Sequence, residues 1–107
     1  ACVVTAKEAP EYNRTADDFR ALAEAHSVPF LHAPSMKERQ ATLKDMPAAD
    51  IAVSYNYTGV IPQEVIDLFP LGILNAHGGD LPRYRGNACQ AWALLNAEEK
   101  IGLCVHR

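Results

Sequence analysis

Residues 74–95, LNAHGGDLPRYRGNACQAWALL, contain the side chains best suited to chemistry. Asn75 and His77 stand two residues apart, and side chains at that spacing project from one face of a β-strand. The preceding apolar pair, Ile73 and Leu74, is typical of a buried strand whose polar end emerges at a sheet edge, where open α/β sheets bind ligands. An amide donates hydrogen bonds without titrating, and an imidazole changes charge near neutral pH. The two side chains could therefore act on one substrate.

The segment that follows is shaped by residues with special backbone preferences. Gly78, Gly79 and Gly86 permit conformations closed to other residues, and Pro82 fixes its own φ. Asn87 can cap a helix. On that helix Trp92 stands at three- and four-residue spacings with other apolar residues, which predicts a packing stripe with Trp92 in the core.

Strand and helix patterns alternate along the rest of the chain. Strands are expected at residues 2–5, 28–31, 51–54 and 101–106, and helices at 16–25, 35–44 and 62–68. Thr15 with Asp18, and Ser35 with Glu38, have the spacing of capping boxes, and Pro62 suits a first helical turn. This alternation predicts an α/β fold with a parallel sheet and right-handed crossovers.

Composition describes a globular chain of one domain or less: 107 residues, 49% hydrophobic and 21% charged, with a formal net charge of −3. No apolar run approaches the roughly 20 residues that span a bilayer, and the start is neither basic nor signal-like, so we expect a cytoplasmic protein. The charge gives no overall basic field for nucleic acid. Neither a GxGxxG motif nor a P-loop is present.

The cysteines and remaining histidines predict no metal site. Cys2, Cys89 and Cys104 are widely spaced within apolar segments, which favours buried thiols over a disulfide framework. A nucleophilic Cys89 would need an activating base that its local sequence does not supply. The other histidines also lack metal-ligand spacing and are expected to be structural or exposed: His26, His32 and His106.

The succession of Asn-x-His, Leu-Pro, Arg-Gly and a helix with Trp-Ala-Leu closely resembles the formyltransferases that use 10-formyltetrahydrofolate. Residues 53–66 also look like that family's strand, folate loop and following helix. The resemblance implies a Rossmann-like, mostly parallel sheet flanked by helices. It identifies residues 1–107 as a partial catalytic domain, truncated at both ends, with no second domain. Self-association through edges exposed by truncation would follow.

Two departures from the family accompany this resemblance. The loop after the histidine usually reads Pro-Ser-Leu-Leu-Pro, whereas residues 78–82 here read Gly-Gly-Asp-Leu-Pro. Family members also carry a catalytic aspartate on a loop beyond the strand at residues 101–106, which this chain does not reach. The partner of the histidine must then be supplied elsewhere.

The resemblance implies that Asn75 stabilises the oxyanion formed when an amine attacks the formyl carbon, and that His77 handles the protons. Asp80 could substitute for the missing carboxylate, although an aspartate in such a turn more often bonds its own backbone. Arg85 could contact an anionic substrate group or bind carbonyls that hold the loop closed.

The loop at residues 56–60 resembles the one whose backbone contacts the pterin ring of the folate. Gly59 would allow close backbone approach, and Tyr57 and Val60 would line the pocket. The plainer alternative is a polar connection whose tyrosines pack at its rim.

The acceptor is less well defined by the residues. Residues 7–18 mix two basic with several acidic side chains, a poor surface for tRNA phosphates. This favours a small amine. Within the family, the Arg-Gly helix with Trp-Ala-Leu looks less like the purine-pathway enzymes, so the resemblance implies a nucleotide-linked amino sugar first and methionyl-tRNA as the alternative. A folate-binding or assembly module without catalysis is a further alternative, and so is an α/β domain with an accidental motif.

Overall fold

The computed structural model describes residues 1–8 and 12–107. Short strands and helices alternate along these ranges in this order: β1 (Val3–Thr5), α1 (Ala16–Ala25), β2 (Phe30–His32), α2 (Met36–Lys44), β3 (Ala52–Tyr55), α3 (Gln63–Ile66), β4 (Ile73–His77), α4 (Cys89–Leu95) and β5 (Cys104–His106). No helix within the described ranges has the length and apolarity needed to cross a membrane.

Of the three strand pairings among residues 1–8 and 12–107, two are parallel, which confirms the predicted α/β class with a mostly parallel sheet. β1 pairs with β2, and β3 pairs with β4 so that Ser54 lies opposite Asn75. β5 instead runs antiparallel to β4, with His106 opposite Asn75. In the part of the chain that the structure describes, β1–β2 and β3–β4–β5 form separate sheets.

A small buried core joins β2 to the two middle helices. Leu31 from β2, Leu43 from α2 and Val65 from α3 are each less than a tenth exposed and pack together with Ala33. Partly buried Met46 and other apolar side chains surround this cluster. The core therefore fixes α2 against α3.

A cleft of about 890 Å³ separates the two sheets. Its walls include Val4 and Thr5 of β1 on one side and Val53 and Ser54 of β3 on the other. The Ser54 hydroxyl is buried there without a hydrogen-bond partner among the described residues. The cleft far exceeds the water-sized voids of close-packed interiors.

Most element starts differ from the prediction by one to three residues, and β5 begins at Cys104 instead of residue 101. The second strand begins at Phe30 instead of residue 28, since Ser27 adopts a left-handed φ of 53° and the Val28 N–H closes α1 on the carbonyl of Ala23 at 3.0 Å. Ser35 caps α2 by position only. Its side chain makes no cap bond, and the Met36 N–H donates instead to the Tyr57 hydroxyl at 3.2 Å.

The later helices are shorter than predicted. Pro62 is the N-cap of α3 and not part of its first turn, and α3 ends at Ile66 instead of residue 68. α4 begins after Ala88, whose φ of 55° is left-handed, so Asn87 is not its cap.

The prediction that Trp92 belongs to the core is wrong. Its side chain is 58% exposed, whereas Cys89 and Ala93 are the buried residues of α4. These two residues lie four positions apart on one face of the helix. The buried face of α4 is therefore narrower, and made of smaller residues, than the apolar sequence of the helix predicts.

The predicted start of α1 is confirmed. The Thr15 N–H donates to the Asp18 carboxylate at 2.8 Å, and the Arg14 guanidinium donates to it at 3.1 Å. The backbone hydrogen bond from Thr15, followed by that from Arg14, lowers the pKa of Asp18 below its ordinary value of 3.8.

We predict that Asp18→Asn lowers the melting temperature slightly at pH 7. Because the folded pKa is depressed, the carboxylate's contribution is fully present above the unfolded pKa of 3.8 and is lost as the pH falls below it through the folded pKa. Thermal unfolding of both proteins between pH 7 and pH 2 measures this difference. Asp17→Asn is the matched control, since Asp17 lacks the cap bond. If the difference in melting temperature between Asp18→Asn and the parent were the same at pH 2 as at pH 7, the capping role of the Asp18 carboxylate would be contradicted.

Candidate active site

β4 carries Asn75 and His77 near its carboxyl end, flanked by a strand on each side. The strand alternation places both side chains on one face of the sheet, and both residues are half-buried. The chain then enters the loop at residues 78–88, which leads to α4. This is the juxtaposition that the two-residue spacing predicts.

The imidazole of His77 is held by the loop that follows it. Its Nε2 lies 2.6 Å from the carbonyl oxygen of Tyr84. A carbonyl oxygen only accepts hydrogen bonds, so Nε2 carries the hydrogen and donates it. In neutral His77 the lone pair is therefore on Nδ1, which becomes the basic nitrogen.

Gly79 is buried directly against this contact. A Cβ at that position would lie 2.7 Å from Nε2 of His77 and 2.5 Å from the Tyr84 carbonyl oxygen. The glycine is thus needed for space.

His106 is a member of the cluster that sequence reasoning missed. It lies opposite Asn75 on β5, and the Asn75 amide nitrogen lies 3.2 Å from its Nε2. The rings of His77 and His106 meet edge-on at 72°, with centroids 6.5 Å apart. His106 is exposed, as predicted, yet it contacts Asn75. The sequence signal for it is the alternation of side chains along β5. If β5 is paired antiparallel to β4, that alternation places His106 opposite Asn75.

Cys89 lies closer to His77 than its sequence position suggested. Its Sγ is 3.5 Å from Nε2 of His77 and 3.2 Å from the carbonyl oxygens of both Tyr84 and Gly86. Because Nε2 is itself a donor, it cannot take the thiol proton, and the S–H points to the carbonyls instead. Cys89 is buried, but Cys2 and Cys104 are only half-buried, so the expectation of three buried thiols is wrong for those two.

Asp80 and Arg85 are both exposed at the surface of the loop. The Asp80 carbonyl accepts the Tyr84 N–H at 2.9 Å, while its carboxylate lies beside Gly102. Within residues 1–8 and 12–107, no bond joins that carboxylate to His77, and Arg85 has neither an ion pair nor a hydrogen bond. The arginine that fastens the loop is Arg83, which pairs with Glu98.

The loop at residues 56–60 lies beside the loop that follows β4. The Asn87 amide donates to the carbonyl of Thr58 at 3.3 Å and joins the two loops. Tyr57 folds over Gly59, where a Cβ would lie 2.9 Å from the Tyr57 hydroxyl, while Val60 is 87% exposed. Val60 therefore offers free apolar surface, whereas Tyr57 is engaged inside the protein.

The family model described as formyl transferase matches residues 1–107. The chain belongs to the formyl transferase family. It is also similar to the methionyl-tRNA formyltransferase of Desulforamulus reducens, with 36% identity over 87 residues, which is 78% of this chain. The chain spans about a quarter, 27%, of that relative's length.

This formyl transferase chain keeps its polar cluster apart from its large cleft. The cleft between β1 and β3 is lined by Tyr55, Asn56 and Tyr57, but not by Asn75 or His77. The cleft has the volume of a ligand pocket. The polar groups suited to chemistry lie elsewhere, and for that reason we place the candidate site at the end of β4.

We predict that Gly79→Ala destabilises the protein by about 1–3 kcal/mol, the usual cost of overpacking. The new methyl group would meet the Tyr84 backbone, which cannot move without displacing His77. Urea unfolding measures the change. Gly78→Ala is the matched control, because its methyl group meets only the end of the flexible Gln90 side chain. Equal stabilities of the two variants would show that Gly79 is not a close-packed position.

Proposed function

We propose that this protein transfers a formyl group from 10-formyltetrahydrofolate to an acceptor amine, with Asn75 and His77 as catalytic residues. The observation that carries the proposal is their shared face at the end of β4, beside the loop at residues 56–60, in a chain that matches the formyl transferase family throughout. An amide and an imidazole so placed are suited to acyl transfer.

The proposed reaction needs one oxyanion donor and one proton carrier. The acceptor nitrogen attacks the formyl carbon, a C–N bond forms, and the carbonyl oxygen becomes negative. The carbon's bond to the folate nitrogen then breaks as that nitrogen receives the proton lost by the amine. Asn75 has two amide hydrogens, and one directed at His106 leaves the other for the oxyanion. His77 would carry the proton on Nδ1, because its Nε2 is bound to the Tyr84 carbonyl.

The folate donor supplies the activated formyl group, and we propose that residues 57–60 hold it. Val60 would pack against it through its exposed side chain, and the backbone at Gly59 would pass beside it. The Thr58–Asn87 hydrogen bond keeps this loop next to the one that follows His77. Tyr57 would act from within, by shaping the loop around Gly59.

We propose methionyl-tRNA as the acceptor. The similarity to a methionyl-tRNA formyltransferase supports it. Two of the acidic residues that argued against tRNA have other duties: the Glu8 carboxylate accepts the Ala16 N–H at 2.5 Å, and Asp18 caps the same helix. Glu11 lies outside the described residues. A nucleotide-linked amino sugar is the second candidate, supported by the few basic side chains in residues 7–18.

We expect His77→Ala in the full-length protein to lower kcat by roughly 10²- to 10⁴-fold, the usual contribution of a positioned acid–base group, with little change in folate affinity. Steady-state kinetics and folate titration measure the two effects. His26→Ala, at an exposed histidine outside the site, controls for general damage. Equal losses in turnover and folate affinity would assign His77 to binding instead.

Asn75→Ala should lower kcat by roughly 10²- to 10³-fold, as expected for the loss of an oxyanion donor. Asn13→Ala removes an exposed amide outside β4 and the loop at residues 78–88, and tests whether any lost amide has this effect. An unchanged kcat in Asn75→Ala would remove Asn75 from the mechanism.

The acceptor is tested by offering aminoacylated initiator tRNA and a nucleotide-linked amino sugar to the full-length protein with 10-formyltetrahydrofolate. We expect formylation of the tRNA, with binding that weakens as salt rises because phosphate contacts release counterions. Formylation of the sugar alone would reverse the assignment. Folate binding without transfer to either acceptor would indicate the binding module.

A further inference from the structure

Tyr84 is clamped through its side chain to the segment that follows α4. Its hydroxyl donates to the Glu98 carboxylate at 2.8 Å and lies 3.1 Å from the Asn96 amide nitrogen, which donates to it. Arg83 pairs with Glu98 and lies 4.9 Å from the Tyr84 ring centroid. The phenol, the carboxylate and the guanidinium thus form one network at the far side of the loop.

The backbone of Tyr84 meets the candidate site on its other side. Its carbonyl oxygen accepts the Nε2–H of His77 at 2.6 Å and lies 3.2 Å from the Cys89 thiol. Its N–H donates to the Asp80 carbonyl at 2.9 Å. The N–H and the carbonyl of Tyr84 are therefore both hydrogen-bonded. The position of the Tyr84 backbone determines where the acceptor for the His77 Nε2–H lies.

A neutral histidine has two tautomers, and the hydrogen bond made by one nitrogen selects which nitrogen stays basic. We propose that Tyr84 is a positioning residue for His77: the Tyr84–Glu98 clamp holds the Tyr84 carbonyl so that His77 keeps the Nε2–H tautomer and presents Nδ1 as its base. The catalytic meaning of this assignment rests on the proposed formyl transfer, but the tautomer itself does not.

The clamp explains several residues that the chemistry leaves unused. Glu98 keeps only 26% of its side chain exposed and has a cation beside it, which suits a carboxylate with a fixed duty. Gly79 leaves room for the His77–Tyr84 contact, and the Cys89 thiol lies against the same carbonyl without competing for Nδ1.

The test is ¹⁵N NMR of histidine-labelled full-length protein, with the His77 signals assigned by their loss in His77→Ala. In the parent at a pH where His77 is neutral, we expect Nε2 protonated and Nδ1 unprotonated. Tyr84→Phe removes the hydroxyl and keeps the ring, and Glu98→Ala removes its acceptor. Each should raise the share of the Nδ1–H tautomer and lower kcat at least roughly tenfold, a fraction of the 10⁴-fold loss seen when a wrong tautomer is imposed.

Three further variants separate positioning from general damage. Glu99→Ala removes an exposed carboxylate one residue away and should change neither readout. The double variant Tyr84→Phe/Glu98→Ala should resemble the single variants, because both remove the same bond. Glu98→Gln keeps an acceptor for the Tyr84 hydroxyl, so it should show the parental tautomer where Glu98→Ala does not. If Glu98→Ala fails to fold, Glu98→Gln and Tyr84→Phe still provide the comparison.

An unchanged tautomer in both Tyr84→Phe and Glu98→Ala, or equal shifts in Glu99→Ala, would overturn the proposal. The unsubstituted protein could also fail to transfer a formyl group while the variants still shift the His77 tautomer. That result would support the positioning role and reject the proposed function. The two ideas can therefore fail separately.

Discussion

The pairing of β4 on both edges is the constraint on which the candidate site depends. Ser54 and His106 flank Asn75 from opposite sides, one in a parallel and one in an antiparallel ladder. Because β3 and β4 are parallel, their following loops leave the sheet at the same edge, where the Asn87–Thr58 bond then joins them. A slip of one residue in either register would turn Asn75 and His77 to the opposite face and separate them from these partners.

Local patterns were enough to predict the elements with strong periodicity. α1 spans residues 16–25 as expected from its capping box, and the strand with Asn75 and His77 was expected from an apolar run that ends in polar residues. The shared face of those two side chains follows from strand geometry alone. The roles of the predicted site residues remain proposals, which kinetics must decide.

Contacts between distant segments account for what the sequence did not reveal. The Tyr84 carbonyl that binds His77 is a backbone group, and every residue has one, so the residue type at position 84 does not predict this contact. The His106–Asn75 contact requires the antiparallel register of β5, whereas alternating elements suggested parallel pairing throughout. Helical periodicity placed Trp92 in the core, but α4 begins only after the left-handed Ala88 and buries Cys89 and Ala93 instead.

The cleft between β1 and β3 divides the molecule into two parts that can differ in local stability. The sheets on its two sides share no ladder among the described residues. They are joined by the buried cluster of Leu31, Leu43 and Val65 and by the hydrogen bond from the Asn56 amide to the Tyr12 hydroxyl. Two paired units without a shared ladder can open locally at a lower free energy than that of global unfolding. Amides of β3 and β4 would then exchange with solvent as one cooperative unit and those of β1 and β2 as another.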